Sequence, residues 1–312
     1  MTWYDRAPMP SARAEVGAAT LDGRLYIIGG TEQRPGAEPV WATTTVIAFS
    51  PRTGEWSDIA PLPAPLTHVG VAASDTRLYA VGGFTAPVHM HPQAVVFEYD
   101  PRANAWTPLP DMPHRLGSPA TAVVDGKLHV FGGRDSRRTV PLPGLPFEMG
   151  FGTVRTHLIF DLEKRTWSAT EPIPGESRDH IAAVTDGNRV HLIGGRIDDI
   201  DQNLTRHDVY DPRTDTWTTA APLPAPRSAG AAVALGDGRL LYAGGECSSD
   251  GGTFADATIY DPQADRWTAI APLPHGGRHG FGAARVDGRV FLAGGAPTCG
   301  GGATTDLLEL RL

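Results

Sequence analysis

The chain has 312 residues, 41% hydrophobic and 20% charged, with a formal net charge of -8 at pH 7. That acidic balance argues against nucleic acid as a partner, because phosphates demand a basic surface. No apolar run approaches the roughly 18 residues a membrane-crossing helix needs, so no membrane span is expected.

Taken in order, the chain opens on Thr2-Trp3-Tyr4, a short strand carrying a Trp. Val16–Leu21 is a run of small and apolar residues, closed by Asp22-Gly23, a hairpin signal because Gly tolerates positive φ. Arg24–Ile28 reads as the second strand and ends at Gly29-Gly30, where two glycines predict close backbone approach. A loop, Thr31–Ala42, holds Trp41. A third strand carries Phe49, Pro51-Arg52-Thr53-Gly54 turns the chain, and a fourth strand carries Trp56.

This order is then written again to the end of the chain. Gly-Gly pairs start at Gly29, Gly82, Gly132, Gly194, Gly244 and Gly294. Trp3, Trp56, Trp106, Trp167, Trp217 and Trp267 each precede one of them by 26 or 27 residues. Phe49, Tyr99, Phe160, Tyr210 and Tyr260 each lie seven residues before a Trp. Four short strands at a period near 50 predict an all-β fold, a six-bladed β-propeller of four-stranded antiparallel blades. The repeat runs over residues 1–312, which predicts one domain, with a long insertion at 134–153 in the third blade. The chain begins with a fourth strand and ends, at Asp306–Leu312, with a third. Residues 1–6 are therefore expected to complete the last blade and close the ring, leaving no sheet edge.

The residues that carry a family resemblance are Pro226-Arg227, the strand Leu240–Ala243 with Gly244-Gly245, Tyr210-Asp211-Pro212, and Trp217. In these the chain resembles the kelch repeat family over its whole length. Blade three departs with Phe160-Asp161-Leu162 and blade one with Phe49-Ser50-Pro51. The resemblance implies a kelch propeller. It also implies two kinds of activity: recognition of a protein or small molecule, or acid–base chemistry like that of bacterial six-bladed kelch enzymes resembling N-acetylneuraminate epimerase.

Strand alternation puts all the tight turns on one face of the ring and all the long loops on the other. Loops on a rigid scaffold are where function concentrates. The loop face offers Trp41, the His89-Met90-His91 loop, and the insertion with Arg134, Phe147, Met149 and Phe151. The starts of the innermost strands offer Arg13, His68, Arg115, Arg178, Arg227 and Arg278, with Glu15, His114, Asp179, His180, His275 and His279 beside them. A ring of guanidinium groups suits a carboxylate or phosphate; the same arginines also suit braces between blades. Arg13, His68, Arg115, Arg178, Arg227, Arg278, Trp41, Phe147 and Phe151 are the candidate binding residues. Glu15, Asp179, His180 and His279 are the candidate acid–base residues.

No cofactor and no metal is expected. Asp199, Asn203 and His207 fall at four-residue steps, but Asn is a poor ligand for iron. The Asp199–Asn203 stretch lacks the glycine and final Glu of a calcium loop. All seven tyrosines sit in strand register, which excludes a copper-radical oxidase of the galactose oxidase kind. No charged-then-apolar leader precedes the first strand, so a cytoplasmic location is expected. Cys247 and Cys299 both follow a Gly-Gly in neighbouring blades, and free thiols are expected of them.

Overall fold

A computed structural model describes residues 1–142, 144, 147–247 and 252–312. Positions 143, 145 and 146 of the third-blade insertion lie outside the described residues. Six four-stranded antiparallel sheets follow one another along the chain. Blade one is Gly17–Leu21, Arg24–Ile28, Val46–Ser50 and Glu55–Ile59, and the next four repeat its order. In the sixth, Gly282–Val286, Arg289–Ala293 and Leu307–Arg311 are completed by Thr2–Asp5, which pairs Trp3 with Leu310. The innermost strands touch in sequence around the ring, the sixth meeting the first.

The recurring residues have physical jobs. Each blade keeps an apolar layer against its neighbour; the layer between blades one and two holds Tyr26, Val46, Leu66, Leu78 and Tyr99, all nearly inaccessible. Five of the six register tryptophans donate their indole N–H to a backbone carbonyl of the blade before. Trp3 bonds Ala271 at 2.9 Å, Trp56 bonds Ala7 at 2.9 Å and Trp106 bonds Ala60 at 2.8 Å. Trp217 packs edge-on against Phe131 and His157 instead. The diglycine lies where the next blade's first strand crosses. Gly29 sits at φ 62°, and a Cβ there would stand 2.5 Å from the Leu66 carbonyl oxygen. That oxygen accepts from the Gly30 N–H at 2.8 Å.

Three two-stranded ribbons rise on the loop face: Ala12–Ala14 with Thr31–Gln33, Phe84–Ala86 with Met90–Pro92, and Arg134–Pro141 with Glu148–Thr153. The last is the insertion. Cys247 and Cys299 are joined in a disulfide, with Cα atoms 5.4 Å apart, tying the loops of blades five and six together. This corrects the expectation of free thiols. The two diglycines bring both cysteines to the same side of the loop face. Such a bond persists in oxidising surroundings and is reduced in reducing ones, so the state of this pair reports the compartment.

Candidate functional site

The site is built on one backbone feature. At the inner corner of every blade, just before the first strand, one residue adopts positive φ: Glu15, His68, Ser118, His180, Ala229 and Gly280, between 49° and 59°. His68 donates its N–H to the Glu15 carbonyl, Ser118 to that of His68, Ala229 to that of His180 and Gly280 to that of Ala229, each at 2.9–3.0 Å. Left-handed backbone costs a non-glycine residue free energy, and such positions gather where function requires them. Here it turns Glu15, His68 and His180 towards the ring axis.

Around the axis these side chains meet. Glu15 binds His68 (Oε2 to Nε2, 3.2 Å) and His279 (Oε1 to Nδ1, 3.1 Å). Asp179 binds His180 Nδ1 at 2.9 Å and Arg134 Nε at 2.6 Å. Arg196 reaches Asp179, forms a close ion pair with Glu246, and lies 3.1 Å from His180 Nε2. Arg134, Asp179, Arg196 and His279 are all at most 2% exposed. Sequence reasoning brought Glu15, His68, Asp179, His180 and His279 to the mouth, and all five are there. It left out Arg134, Arg196 and Glu246 as site residues. Their signal was register: each is the residue directly after a Gly-Gly, pairing with the inner corner of its own blade.

The arginines expected to form an anion ring lie elsewhere. Arg13, Arg178 and Arg278 turn back into their own blades and donate to the first carbonyl of the diglycine, at Gly29, Gly194 and Gly294. Arg178 and Arg278 also bind Asp208 (2.5 Å) and Asp306 (2.9 Å), and Arg227 reaches the Asp256 carbonyl at 3.3 Å. These four groups brace the loop between the second and third strands. Arg115 and His114 are exposed, and buried Leu116 holds the brace position in blade three. His275 is also outside the cluster, bound to Asp5 at 2.8 Å.

The loop side of the mouth is covered. The blade-two ribbon carries His89 over the axis, 8% exposed, with Val88 and His89 both at positive φ. Its carbonyl accepts from Ser136 Oγ at 2.5 Å, and the Val88 carbonyl accepts from the Gly150 N–H at 3.0 Å, so the blade-three hairpin locks it down. Phe151 lies beneath the Arg138 guanidinium, 4.6 Å from its ring centre. Phe147 reaches the blade-one loop, where its ring stands edge-on to Trp41 at 6.5 Å. Beneath His89 is a cavity of about 120 Å³ lined by Glu15, His68, Ser118 and His180. The channel widens towards the tight-turn face, where a space of about 290 Å³ is lined mainly by alanine, valine and threonine.

Charge is unevenly held. Burial works to raise the Glu15 carboxyl, yet the neighbouring His68 and His279 hold it well below the usual carboxylate range. Asp179 is likewise held down against its burial, by His180, Arg134 and Arg196. Burial pushes His68 down to about 4 and His89 well below its ordinary value, so both imidazoles are neutral near pH 7. His279 is raised: burial opposes this, but its bond to Glu15 and the charge of Glu246 prevail. The Asp199–His207 stretch does not converge. His207 lies in a strand bound to His191, and Asn203 donates to the Glu246 and Cys247 carbonyls.

A closed ring of six four-stranded blades with diglycines at every crossing and a covered polar axis defines a β-propeller of the repeat type. A family model of the KLHDC2/KLHL20/DRC7 Kelch-repeats domain matches residues 112–295, and the Kelch motif matches residues 12–63 and 65–113. The chain belongs to the kelch-repeat family. Among similar proteins, beta-scruin of Limulus polyphemus is 30% identical over 94 residues, 30% of this chain and 10% of that protein. Kelch-like ECH-associated protein 1A of Danio rerio is 33% identical over 87 residues, 28% of this chain and 14% of that protein. Kelch-like protein terF of Aspergillus terreus is 36% identical over 75 residues, 24% of this chain and 16% of that protein. The matched stretches thus span a small part of these relatives.

Proposed function

We propose that this propeller is a recognition module that docks a segment of a partner protein on its loop face. The observation that carries this reading is the contact between Trp41 and Phe147, which joins the blade-one loop to the blade-three hairpin across the rim. Trp41 is 53% exposed, Val40 46% and Val140 37%; the other large exposed apolar residues among those described, Met1, Tyr4 and Leu312, lie at the chain ends. Single exposed apolar residues are ordinary, but a gathered patch marks an interaction surface. The loop beneath Trp41 is held in shape. Buried Glu32 accepts from Ser11, Thr43 and Thr45 at 2.8 Å and from Arg34 at 3.0 Å. A surface already ordered loses less entropy on binding. Arg34, Arg137 and Arg138, on the same two loops, are each more than half exposed. Aromatic and arginine side chains are the residues that dominate binding energy at interfaces; since the three arginines are already paired with Glu32, Asp135 and Asp198, the rim suits an apolar segment.

A second reading rests on the carboxylate–imidazole pairs lining the axial cavity. They support acid–base chemistry on a small carboxylate-bearing or sugar-like molecule, with Glu15, Asp179, His180 and His279 moving the proton. The two readings separate by mutation. Trp41→Ala is expected to weaken binding to the partner on the order of 30-fold, the scale of an interface anchor, measured by quantitative affinity capture against wild type. Arg52→Ala on the tight-turn face should leave capture unchanged. Partner binding that ignores Trp41→Ala but fails in His180→Ala would move the site from the rim to the axis.

A further inference from the structure

Three imidazoles converge on the axis from two blades. His68 and His180 come from equivalent left-handed corners, and His89 comes down from the tip of the blade-two ribbon. Their ring centres form a nearly equilateral triangle with sides of 5.1, 5.2 and 5.2 Å. One nitrogen from each lies within 4.8 Å of the other two, the only such convergence of three potential ligands among the described residues. We propose that His68, His89 and His180 form a binding site for a borderline divalent transition-metal ion of the zinc class.

The ligand chemistry fits. Imidazole nitrogen suits zinc, cobalt and nickel, and hard cations that prefer oxygen would be poorly served here. Zinc–nitrogen bonds of about 2.0–2.1 Å in tetrahedral geometry set nitrogens roughly 3.3 Å apart. Small rotations of the three side chains close that gap. The outer shell is built as metal-bound histidines require. His180 Nδ1 is 2.9 Å from Asp179, leaving Nε2 as its ligand atom; His68 has Thr67 Oγ1 3.1 Å from Nδ1, and its Nε2, now 3.2 Å from Glu15 Oε2, is the ligand atom that Glu15 gives up to the metal. Such partners fix ring orientation and raise ligand basicity. Three histidines leave a fourth position open, the pattern of reactive rather than closed structural zinc sites. That position faces the axial cavity lined by Glu15, His68 and His180.

Arg196 is the main competitor, beside Arg134, whose Nη1 lies 3.3 Å from His89 Nδ1, and Glu15, which holds His68 Nε2. The Arg196 Nη2 lies 3.1 Å from His180 Nε2 and 3.5 Å from His89 Nε2, donating towards lone pairs that the metal would take. Its other nitrogens are held by Glu246 and Asp179. A modest swing towards Glu246 releases the two imidazoles without leaving the guanidinium unpaired. This inference is independent of the docking patch, which lies on the outer rim.

The test is titration of chelator-stripped, full-length protein with Co²⁺, followed by visible absorption, and with Zn²⁺ by calorimetry. One metal per chain is expected, with the absorption of four-coordinate cobalt. His89→Ala should weaken binding at least 100-fold with an unchanged circular dichroism spectrum, and His275→Ala, an exposed histidine elsewhere, should change nothing. X-ray absorption on zinc-loaded wild type gives a reading that needs no variant: three imidazole nitrogens are expected. Failure to take up stoichiometric metal at micromolar concentration, uptake undiminished by His89→Ala, or fewer than three imidazoles would each overturn the assignment.

Discussion

Replacing Asp179 with alanine is expected to destabilise the propeller by about 3–5 kcal/mol, the scale for removing one partner from a buried ionic cluster. Asp179 is fully buried and answers three cationic or hydrogen-donating groups: Arg134 at 2.6 Å, His180 at 2.9 Å and Arg196 at 3.7 Å. Without the carboxylate, two buried guanidinium groups lose an anion that water cannot replace. The damage also spreads. Arg134 holds the Gly150 carbonyl at 2.7 Å and the Asp198 carbonyl at 2.5 Å, so the blade-three hairpin and the blade-four loop loosen together. Chemical denaturation measures the loss, with Asp211→Ala as reference. Asp211 is partly exposed to solvent, pairs with the largely exposed Arg213 at 3.2 Å and accepts the Arg213 backbone N–H at 2.9 Å, so its removal should cost far less. Equal effects from the two substitutions would mean that the axial cluster does not hold the loop face.

The second large effect is acid lability above the carboxylate range. Blades three and four each bury a hydrogen-bonded histidine pair between their second and third strands: His129 with His157 at 3.0 Å, and His191 with His207 at 2.8 Å. Burial pushes His129 down to about 4 and His157 and His207 down to about 3, and lowers His191. The sign follows directly. The unfolded chain binds protons at these positions below about pH 6.5, whereas the folded chain resists them until pH 3–4. Stability is therefore complete above pH 6.5 and falls as pH drops towards 4, by roughly 2–3 kcal/mol for each of His129, His157 and His207. Several of them together rival a typical net stability of about 5–15 kcal/mol. Melting temperature followed from pH 7.5 to 4 should fall steeply, and the double variant His129→Leu/His157→Leu should fall less steeply. A flat profile down to pH 4.5 would assign the acid transition to carboxylates such as Glu32, held at about 2.

The architecture was legible because each landmark has a job repeated in every blade. Tryptophan latches a blade to the one before, and the diglycine admits the next blade's strand. The closing strand was legible for the same reason, since Trp3 kept the spacing of its copies. The site was legible in part. Glu15, His68, Asp179, His180 and His279 stand where the innermost strands begin, and the topology alone brings such positions together. Arg13, Arg178, Arg227 and Arg278 stand there too, but one or two residues earlier than the axial side chains, and the backbone turns them into the blade. Arg115 precedes the Ser118 corner by three residues rather than two, and that single step leaves it outside. The sequence named His89 with its loop but not its place over the axis, which depends on a loop path with three non-glycine residues at positive φ, Val88, His89 and His91, and on the neighbouring hairpin that holds it. Cys247 and Cys299 stand at matching places in neighbouring blades, a spacing that permits the bond, but the expectation of a cytoplasmic location favoured free thiols.

The most direct measurement of where recognition occurs is hydrogen–deuterium exchange of the protein with and without its captured partner. Binding at the rim predicts slower exchange in residues 31–42 and 134–153, the two loops that meet through Trp41 and Phe147. The tight turns at Asp22-Gly23, Asp125-Gly126 and Asp287-Gly288 should exchange as before. Protection confined to those turns would place the partner on the opposite face and contradict the account.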